Sequence, residues 1–280
     1  MDNISVQRRT LLRTAAAGAV LATIGGCGGG GGGSSSSTAP VVTPPVTPPV
    51  VPPATTVSFA NVSVHDPSVI KSADTYYVFG SHLAAAKTTD LMNWTKIADG
   101  VNASNPLFNN VTGALTEALT WAQADTLWAP DVAKLDDGKY YMYYCACKGD
   151  SPRSALGVAV ADKVDGPYAN KQLLLKSGMW GEVSPDGTIY DATRHPNVVD
   201  PNVFRDNGGK LWMVYGSYSG GIFIMEMDPA TGLQKPGQGY GKHLMGGNHA
   251  RIEGAYILYS PDSKYYYLFV SFGGLDAHRW

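Results

Sequence analysis

An acidic residue stands ahead of a β-rich, aromatic run four times along this chain of 280 residues. The acids are spaced 65, 69 and 53 residues apart, and each aromatic run begins nine to twelve residues after its acid. Such a period is typical of radial repeats of a small antiparallel sheet, as in a β-propeller. Because equivalent positions of a propeller converge on one axis, the four acids are predicted to share one pocket: Asp66, Asp131, Asp200 and Glu253.

Strand patterns dominate the chain after residue 57, and only Leu115–Thr120 has the pattern of a short helical turn. The predicted strands are rich in β-branched or aromatic residues and are bounded by turn residues. They are Thr75–Ser81, Lys139–Ala146, Leu156–Ala161, Lys210–Ser217, Ile222–Met227, Ala255–Ser260 and Tyr265–Ser271. The sequence therefore predicts an all-β fold.

Residues 1–27 have the features of an export signal. Arg8 and Arg9 resemble a twin-arginine region, and the apolar stretch Ala15–Ile24 is too short to span a bilayer. Cys27 follows the apolar stretch closely, as in a bacterial lipobox, so we expect lipid attachment to Cys27 and a membrane anchor. A plain signal peptide with a chance cysteine is the alternative. Both interpretations predict an exported protein, in the cell envelope or outside the cell.

Residues 28–56 are predicted to be a tether between the export signal and the folded part. The segment is rich in glycine and serine and then in proline, and it has no periodic apolar pattern. Its proline-rich half favours an extended polyproline II conformation. A disordered segment without function is the alternative. The remaining residues, 57–280, are long enough to form one domain with a substantial core.

Composition excludes several classes of function for this domain. The net charge is −2, only 16% of residues are charged and there is no basic run, so we expect no nucleic-acid partner. Cys145 and Cys147 lie two apart on a predicted strand, which favours two buried thiols over a disulfide. The spacing of cysteine and histidine residues matches no zinc site, and no metal ligand is predicted.

The recurring acids have both a structural and a chemical interpretation. Asp66, Asp131 and Asp200 lie beside a proline, where aspartate is a common turn residue. Recurrence at the head of four repeats, with glutamate before glycine in the fourth, favours a chemical role. Glycoside hydrolysis requires one protonated carboxylic acid to assist the leaving oxygen and one carboxylate as base or nucleophile.

Four motifs around these acids resemble the successive blade motifs of glycoside hydrolase family 43, in particular its endo-α-1,5-L-arabinanase branch. They are His65-Asp66-Pro67-Ser68, Trp128-Ala129-Pro130-Asp131, Val199-Asp200-Pro201-Asn202 and Ile252-Glu253-Gly254-Ala255. The resemblance implies a five-bladed β-propeller that cleaves arabinan or arabino-oligosaccharides with inversion, as a monomer and with no cofactor in the chemistry. It also implies a structural calcium, although the histidine of a later blade that helps to hold calcium has no counterpart here.

The resemblance assigns distinct roles to the acids. Asp66 is expected to be the general base and Glu253 the general acid, while Asp200 raises the pKa of the acid and orients it. No catalytic role is carried over to Asp131, for which we expect a hydrogen bond that organises the blades. The residues expected at the sugar-binding surface are Asn197, Val198, Val199, Asp200, Ser217, Tyr218, Ser219, Gly149 and Trp128.

The repeats in residues 57–280 amount to about three and a half blades of such a ring. We therefore expect a truncated arabinanase with weak or no activity alone and with an exposed apolar flank. A non-catalytic sugar-binding propeller and another family 43 activity, arabinofuranosidase or xylosidase, are alternatives. A retaining fructan-cleaving enzyme is less compatible, because its Arg-Asp-Pro and Glu-Cys motifs are replaced by Val-Asp-Pro and Glu-Gly. Endo or exo action and the route of export stay open.

Overall fold

The computed structural model of the chain describes residues 59–178 and 182–274. The export signal with Cys27 and the tether predicted for residues 28–56 lie outside the described residues. Within the described part, no helix is both long and apolar enough to cross a membrane.

The described residues form four antiparallel sheets, in each of which sequential strands are neighbours. The first contains β1 (Ser68–Ser72), β2 (Thr75–Gly80), β3 (Ala84–Thr88) and β4 (Thr95–Ala98); the second contains β5 (Trp128–Lys134), β6 (Tyr140–Cys147), β7 (Ser154–Ala161) and β8 (Ala169–Lys176); the third contains β9 (Asn202–Arg205), β10 (Leu211–Tyr215), β11 (Ile222–Met227) and β12 (Lys242–Met245); the fourth contains β13 (Ile252–Ser260) and β14 (Tyr265–Phe272). Three sheets of four strands and one of two confirm the predicted three and a half blades.

Two short helices, α1 (Val111–Ala114) and α2 (Thr116–Ala122), lie between the first and second sheets in sequence. The side chain of Asn110 accepts a hydrogen bond from the Gly113 amide and caps α1. The helical turn predicted at Leu115–Thr120 overlaps α2 and is confirmed. All seven predicted strands are also present, and Ile222–Met227 has the predicted bounds.

Each pair of neighbouring sheets encloses an apolar cluster. Along β6, Tyr140, Met142 and Tyr144 face the cluster shared with the first sheet. Tyr141 and Tyr143 alternate with them and face the cluster shared with the third sheet. This alternation is the period of two expected of a strand that is buried on both faces. Cys145 and Cys147 continue the second series as buried, free thiols, so the prediction for them is confirmed.

Candidate active site

The heads of the four sheets converge on a cavity of about 920 Å3. Asp66 and Asp200 each lie two residues before the first strand of their sheet, whereas Asp131 lies within β5 and Glu253 is the second residue of β13. All four residues line the cavity, so the predicted convergence of the recurring acids is confirmed.

Asp66 is held against the cavity wall by contacts to one of its two carboxylate oxygens. The Ser81 hydroxyl donates to Oδ2 at 2.5 Å, and Nδ1 of His65 lies 2.7 Å from the same oxygen. The side chain of Asp66 nevertheless stays 42% exposed. A carboxylate that is both hydrogen-bonded and open to solvent is suited to the role of general base that the resemblance implies for Asp66.

Asp200 and Glu253 lie on opposite sides of a contact between the third and fourth sheets. The Gly254 amide donates to Oδ2 of Asp200 at 3.1 Å, and the Ser217 hydroxyl donates to Oε2 of Glu253 at 3.0 Å. Burial, reinforced by the negative charges of Glu253 and Asp66, raises the pKa of Asp200 to about 7 despite the hydrogen bond from Gly254. Closely placed carboxyls of this kind favour retention of a proton near neutral pH.

Asp131 ties three sheets together. It accepts a hydrogen bond from the Ser68 hydroxyl at 2.6 Å on Oδ1 and from the Val203 amide at 2.6 Å on Oδ2. Asn202, beside Val203, continues the connection, since its Oδ1 accepts from the Ile257 amide of the fourth sheet at 3.0 Å. Burial raises the pKa of Asp131 against these hydrogen bonds. The blade-organising role expected for Asp131 is confirmed.

Two of the predicted sugar contacts form a surface of the second sheet. Trp128 lines the cavity. A Cβ at Gly149 would lie 3.5 Å from the Trp128 ring, so the Gly149 backbone packs against the indole. Gly149 has a φ of +88°, which favours glycine at this turn.

Other predicted contacts occupy positions behind the cavity wall. Val198 and Val199 are 0% and 1% exposed, so their side chains belong to the core and do not line the cavity. Their amides donate to the Ser154 hydroxyl and the Asn197 carbonyl oxygen, respectively. Asn197 is itself buried, with Oδ1 accepting from Ser154 at 2.5 Å. For the side chains of Val198 and Val199 the structure corrects the prediction of surface placement, whereas the predicted sugar contact of Asn197 stays a prediction.

The loop of Ser217, Tyr218 and Ser219 supports the fourth sheet. Besides the bond from Ser217 to Glu253, the Tyr218 amide donates to the Ile252 carbonyl oxygen and the Tyr218 hydroxyl to that of Gly273. Ser219 is buried, and its carbonyl oxygen accepts from the His249 amide. The predicted sugar contacts of this loop stay predictions.

No role was predicted for Ser81, Ser68 and Asn202, which contact the carboxyl groups of Asp66 and Asp131. A signal for two serines was present, because a Gly-Ser pair stands at the end of β2 and directly after β10: Gly80-Ser81 and Gly216-Ser217. Each of these two hydroxyls donates to a carboxylate that has a predicted catalytic role. Ser68 and Asn202 also share a signal, because each directly follows an Asp-Pro pair: Asp66-Pro67-Ser68 and Asp200-Pro201-Asn202.

Histidines near the motifs have different surroundings. His195 is buried, with Nε2 2.9 Å from Oδ2 of Asp186 and Nδ1 accepting from the Asp191 amide at 2.7 Å, so its contacts are structural. His65 lines the cavity. Within residues 59–178 and 182–274, no group of three or more His, Cys, Asp or Glu side chains is placed to hold a metal ion. The structural calcium stays an expectation of the resemblance.

Comparison with known proteins identifies the family of this chain. The model of "Glycosyl hydrolases family 43" matches residues 56–279. The chain belongs to this family. Its four sheets, three of four strands and one of two, correspond to part of the five-bladed β-propeller of family 43 arabinanases.

Relatives in family 43 include two bacterial proteins. The chain is 67% identical over 219 residues to "Extracellular endo-alpha-(1->5)-L-arabinanase 2" of Bacillus subtilis (strain 168), covering 78% of this chain and 46% of the relative. It is 56% identical over 217 residues to "Extracellular endo-alpha-(1->5)-L-arabinanase" of Thermotoga petrophila, covering 76% and 46%. The chain thus spans about half the length of these relatives.

Two solved structures share the fold of this chain over most of its length. A crystal structure of a family 43 protein from Bacillus licheniformis has a TM-score of 0.76 at 69% identity, covering 78% of this chain and 49% of that one. The endo-1,5-alpha-L-arabinanase from Thermotoga petrophila has a TM-score of 0.76 at 55% identity, with the same two coverages.

Proposed function

We propose that this family 43 chain hydrolyses α-1,5-L-arabinofuranosidic bonds in arabinan or arabino-oligosaccharides, with inversion at the anomeric carbon. The observation that carries the proposal is the meeting of Asp66, Asp200 and Glu253, from three different sheets, in one cavity. The high identity to proteins named as arabinanases supports the choice of substrate.

In the proposed reaction Asp66 is the general base and Glu253 the general acid. Water held by Asp66 attacks the anomeric carbon while its proton passes to the carboxylate. Glu253 gives its proton to the glycosidic oxygen as the bond to the leaving sugar breaks. Inversion requires the two carboxyls to stand roughly 6.5–9.5 Å apart so that water fits between the base and the sugar. Asp66 comes from the first sheet and Glu253 from the fourth, on separate parts of the cavity wall. They are therefore suited to act as a separate base and acid.

Asp200 controls the protonation of the acid in this mechanism. With a pKa raised to about 7 by burial and by the charges of Glu253 and Asp66, Asp200 competes for protons near neutral pH. The Ser217 hydroxyl, on Oε2 of Glu253, orients the acid toward the cavity.

Aromatic side chains give the cavity a surface on which a furanose ring can pack. Trp128 and Tyr256 line it from the second and fourth sheets. Such rings cover the apolar face of a sugar, while neighbouring polar groups select its hydroxyls. We propose that these two residues carry the main apolar contacts with arabinan.

The test is sugar release from linear arabinan by the purified chain, with the anomeric configuration of the first products read by proton NMR. We expect slow release of inverted products, and a loss of about 10²–10⁴-fold in rate in both Glu253→Gln and Asp66→Asn. Glu117→Gln is the matched control, because Glu117 is an exposed carboxylate paired with Lys176 and outside the cavity. Sugar release that is unchanged in Glu253→Gln would contradict the proposal, whereas binding of arabinan without release would favour the sugar-binding propeller.

Product length distinguishes endo from exo action on the same substrate. Oligosaccharides of several lengths indicate endo cleavage, and arabinose alone indicates exo cleavage. Release of nitrophenol from an aryl α-L-arabinofuranoside or an aryl β-D-xyloside, with arabinan left intact, would favour the other family 43 activities.

We also propose that the chain is exported and anchored through lipid on Cys27. The relatives' names support an extracellular location. In a bacterial host, labelled fatty acid should appear on the wild-type chain and be absent from Cys27→Ala, which should leave the membrane fraction. Equal membrane association of both proteins would contradict the anchor.

A further inference from the structure

The two oxygens of the proposed base, Asp66, have different surroundings. Oδ2 accepts the hydrogen bond from Ser81 and contacts Nδ1 of His65. Among the described residues, no donor is recorded on Oδ1. A carboxylate oxygen with two donors has less electron density to offer a further proton than an oxygen with none.

The direction of the Ser81 hydroxyl is fixed by its second partner. The Ala129 amide, from β5 of the neighbouring sheet, donates to Oγ of Ser81 at 2.9 Å. An amide N–H cannot accept, so the hydroxyl proton must point to the carboxylate of Asp66. Ser81 is only 3% exposed, which protects this arrangement from competition by water. The hydroxyl therefore connects a backbone amide of the second sheet to the base in the first.

Unusual backbone conformations maintain this connection. Ala129 has a φ of +27° and Asp66 a φ of +49°, both in the left-handed region that disfavours residues other than glycine. The Ser81 amide donates to the His65 carbonyl oxygen at 2.9 Å, and a Cβ at Gly80 would collide with that oxygen at 2.1 Å. The turn before Asp66 and the end of β2 are thus in close contact, which places Oγ of Ser81 next to Oδ2.

We propose that Ser81 is a positioning residue that occupies Oδ2 of Asp66 and so assigns the uptake of the water proton to Oδ1. The inference rests on the proposed hydrolysis, in which Asp66 is the base. During attack, the O–H bond of water breaks, the proton forms a bond to Oδ1, and the oxygen of water forms a bond to the anomeric carbon. Ser81 keeps its own proton and touches neither water nor sugar.

The internal repeat supports this assignment independently. Gly216-Ser217 follows the equivalent strand of the third sheet, and the Ser217 hydroxyl donates to Glu253, the proposed acid. The second sheet has Cys145-Ala146 at this place, and its acid, Asp131, has a structural role. The serine at this place thus donates to a carboxylate with a proposed catalytic role in the first and third sheets, whereas the second sheet, whose acid has a structural role, has no serine there.

The main test is Ser81→Ala in the full chain, assayed on linear arabinan. We expect kcat to fall about 10–100-fold with KM within about twofold of the wild type, because the base loses alignment while the sugar-binding surface is intact. Ser72→Ala is the matched control, because Ser72 also joins the first and second sheets, through the Tyr140 hydroxyl at 2.7 Å, and lies outside the cavity. A fall in kcat of the same size in Ser72→Ala would overturn the proposal, since it would indicate general loosening of the two sheets.

A double-mutant cycle tests whether Ser81 acts through Asp66. In an Asp66→Ala background whose activity is restored by formate, adding Ser81→Ala should change the restored rate by less than about twofold. A further 10-fold loss in that background would overturn the positioning role.

Crystal structures of the wild type and Ser81→Ala decide the same question without activity. We expect one orientation of the Asp66 carboxylate in the wild type, and a rotated or divided orientation in the variant. An unmoved carboxylate in Ser81→Ala would overturn the inference. If the wild-type chain releases no sugar, the proposed hydrolysis fails, and this comparison alone decides whether Ser81 positions Asp66.

Discussion

The second and fourth sheets contain nearly the same aromatic run in opposite environments. Tyr140–Tyr144 in β6 and Tyr265–Phe269 in β14 each consist of aromatic residues and one aliphatic residue or methionine. Tyr143 is 0% exposed, whereas Tyr267 is 45% exposed. The aromatic run specifies a strand in both places, but it does not specify burial.

Neighbouring sheets cause the difference. The second sheet packs against the first on one face and the third on the other. In the fourth sheet, Ile257, Leu268 and Val270 pack against the third sheet. The opposite face carries exposed side chains, and in the described part of the chain no other sheet covers it: Tyr256, Leu258, Tyr265, Tyr267 and Phe269. The predicted apolar flank is therefore confirmed on this face.

The same contrast extends to the carboxyl group that each sheet brings to the cavity. Asp131 accepts short hydrogen bonds on both oxygens, from Ser68 and Val203. Among the residues that the structure describes, Glu253 accepts one side-chain hydrogen bond, from Ser217. A carboxylate whose oxygens are all occupied stabilises the framework, and one with a free oxygen is available to a substrate.

The largest expected effect is a difference in stability between substitutions in the two aromatic runs. Tyr143→Ala should lower the free energy of unfolding by about 3–5 kcal/mol, because it opens a cavity in the core and removes the hydrogen bond to the Gly232 carbonyl oxygen. Tyr267→Ala should change it by about 0.5 kcal/mol or less, because nearly half of its side chain is already exposed. Urea denaturation of the full chain, followed by fluorescence, measures both.

Tyr143→Phe is the control for the first substitution, and it should cost only about 0.5–1.5 kcal/mol, the net value of one hydrogen bond. An equal loss in Tyr143→Ala and Tyr267→Ala would show that the exposed face of the fourth sheet is covered in solution. Light scattering of the wild type would then show whether a second copy covers this face, because a dimer has twice the mass of the expected monomer.

A smaller difference in stability is expected between substitutions of the carboxyl groups of Asp131 and Glu253. Asp131→Ala should lower the free energy of unfolding by about 1–3 kcal/mol, because the Val203 amide and Ser68 hydroxyl lose their acceptor. Glu253→Gln should stay within about 0.5 kcal/mol of the wild type, since the amide oxygen can still accept from Ser217. Thermal unfolding followed by circular dichroism measures both, and a larger loss in Glu253→Gln than in Asp131→Ala would reverse the assignment of roles.

Local sequence patterns predicted the repeat, seven strands and the convergence of four acids, because these depend on periodicity within each unit. Strands such as β3, with the sequence Ala-Ala-Ala-Lys-Thr, were missed because they have no aromatic or alternating pattern. Hydrogen bonds to neighbouring strands define β3, and propensity does not reveal them.

The acids of the site could be predicted from the sequence, but the residues that donate hydrogen bonds to them could not. Asp66 and Glu253 stood out by recurrence, whereas Ser81 depends on an amide of Ala129, 48 residues away in the chain. Val198 and Val199 were placed at the surface because the family resemblance puts the whole turn before Asp200 there, yet consecutive residues of one turn can face the core and the cavity. The motif identified the turn and left the direction of each side chain undetermined.

The smallest expected effect concerns Asp200, which joins the third sheet to the fourth through the Gly254 amide. Burial and the charges of Glu253 and Asp66 raise its pKa to about 7, above the value of about 3.9 for an unfolded chain. The folded state therefore binds this proton more tightly, so the stabilisation is complete below about pH 4 and is lost as pH rises through about 7. Asp200→Asn removes the ionisation and keeps an oxygen for Gly254.

We therefore expect Asp200→Asn to unfold at a higher temperature than the wild type at pH 8, and the two proteins to converge at pH 4. Because the carboxyl borders an open cavity, the gain should be only about 1 kcal/mol, roughly 2–4 °C. Asp162→Asn, at an aspartate whose side chain is 84% exposed, is the control and should show a much smaller pH-dependent difference. A difference between Asp200→Asn and the wild type that is the same at pH 4 and pH 8 would contradict the raised pKa, and would mean that the third and fourth sheets meet without an electrostatic cost at Asp200.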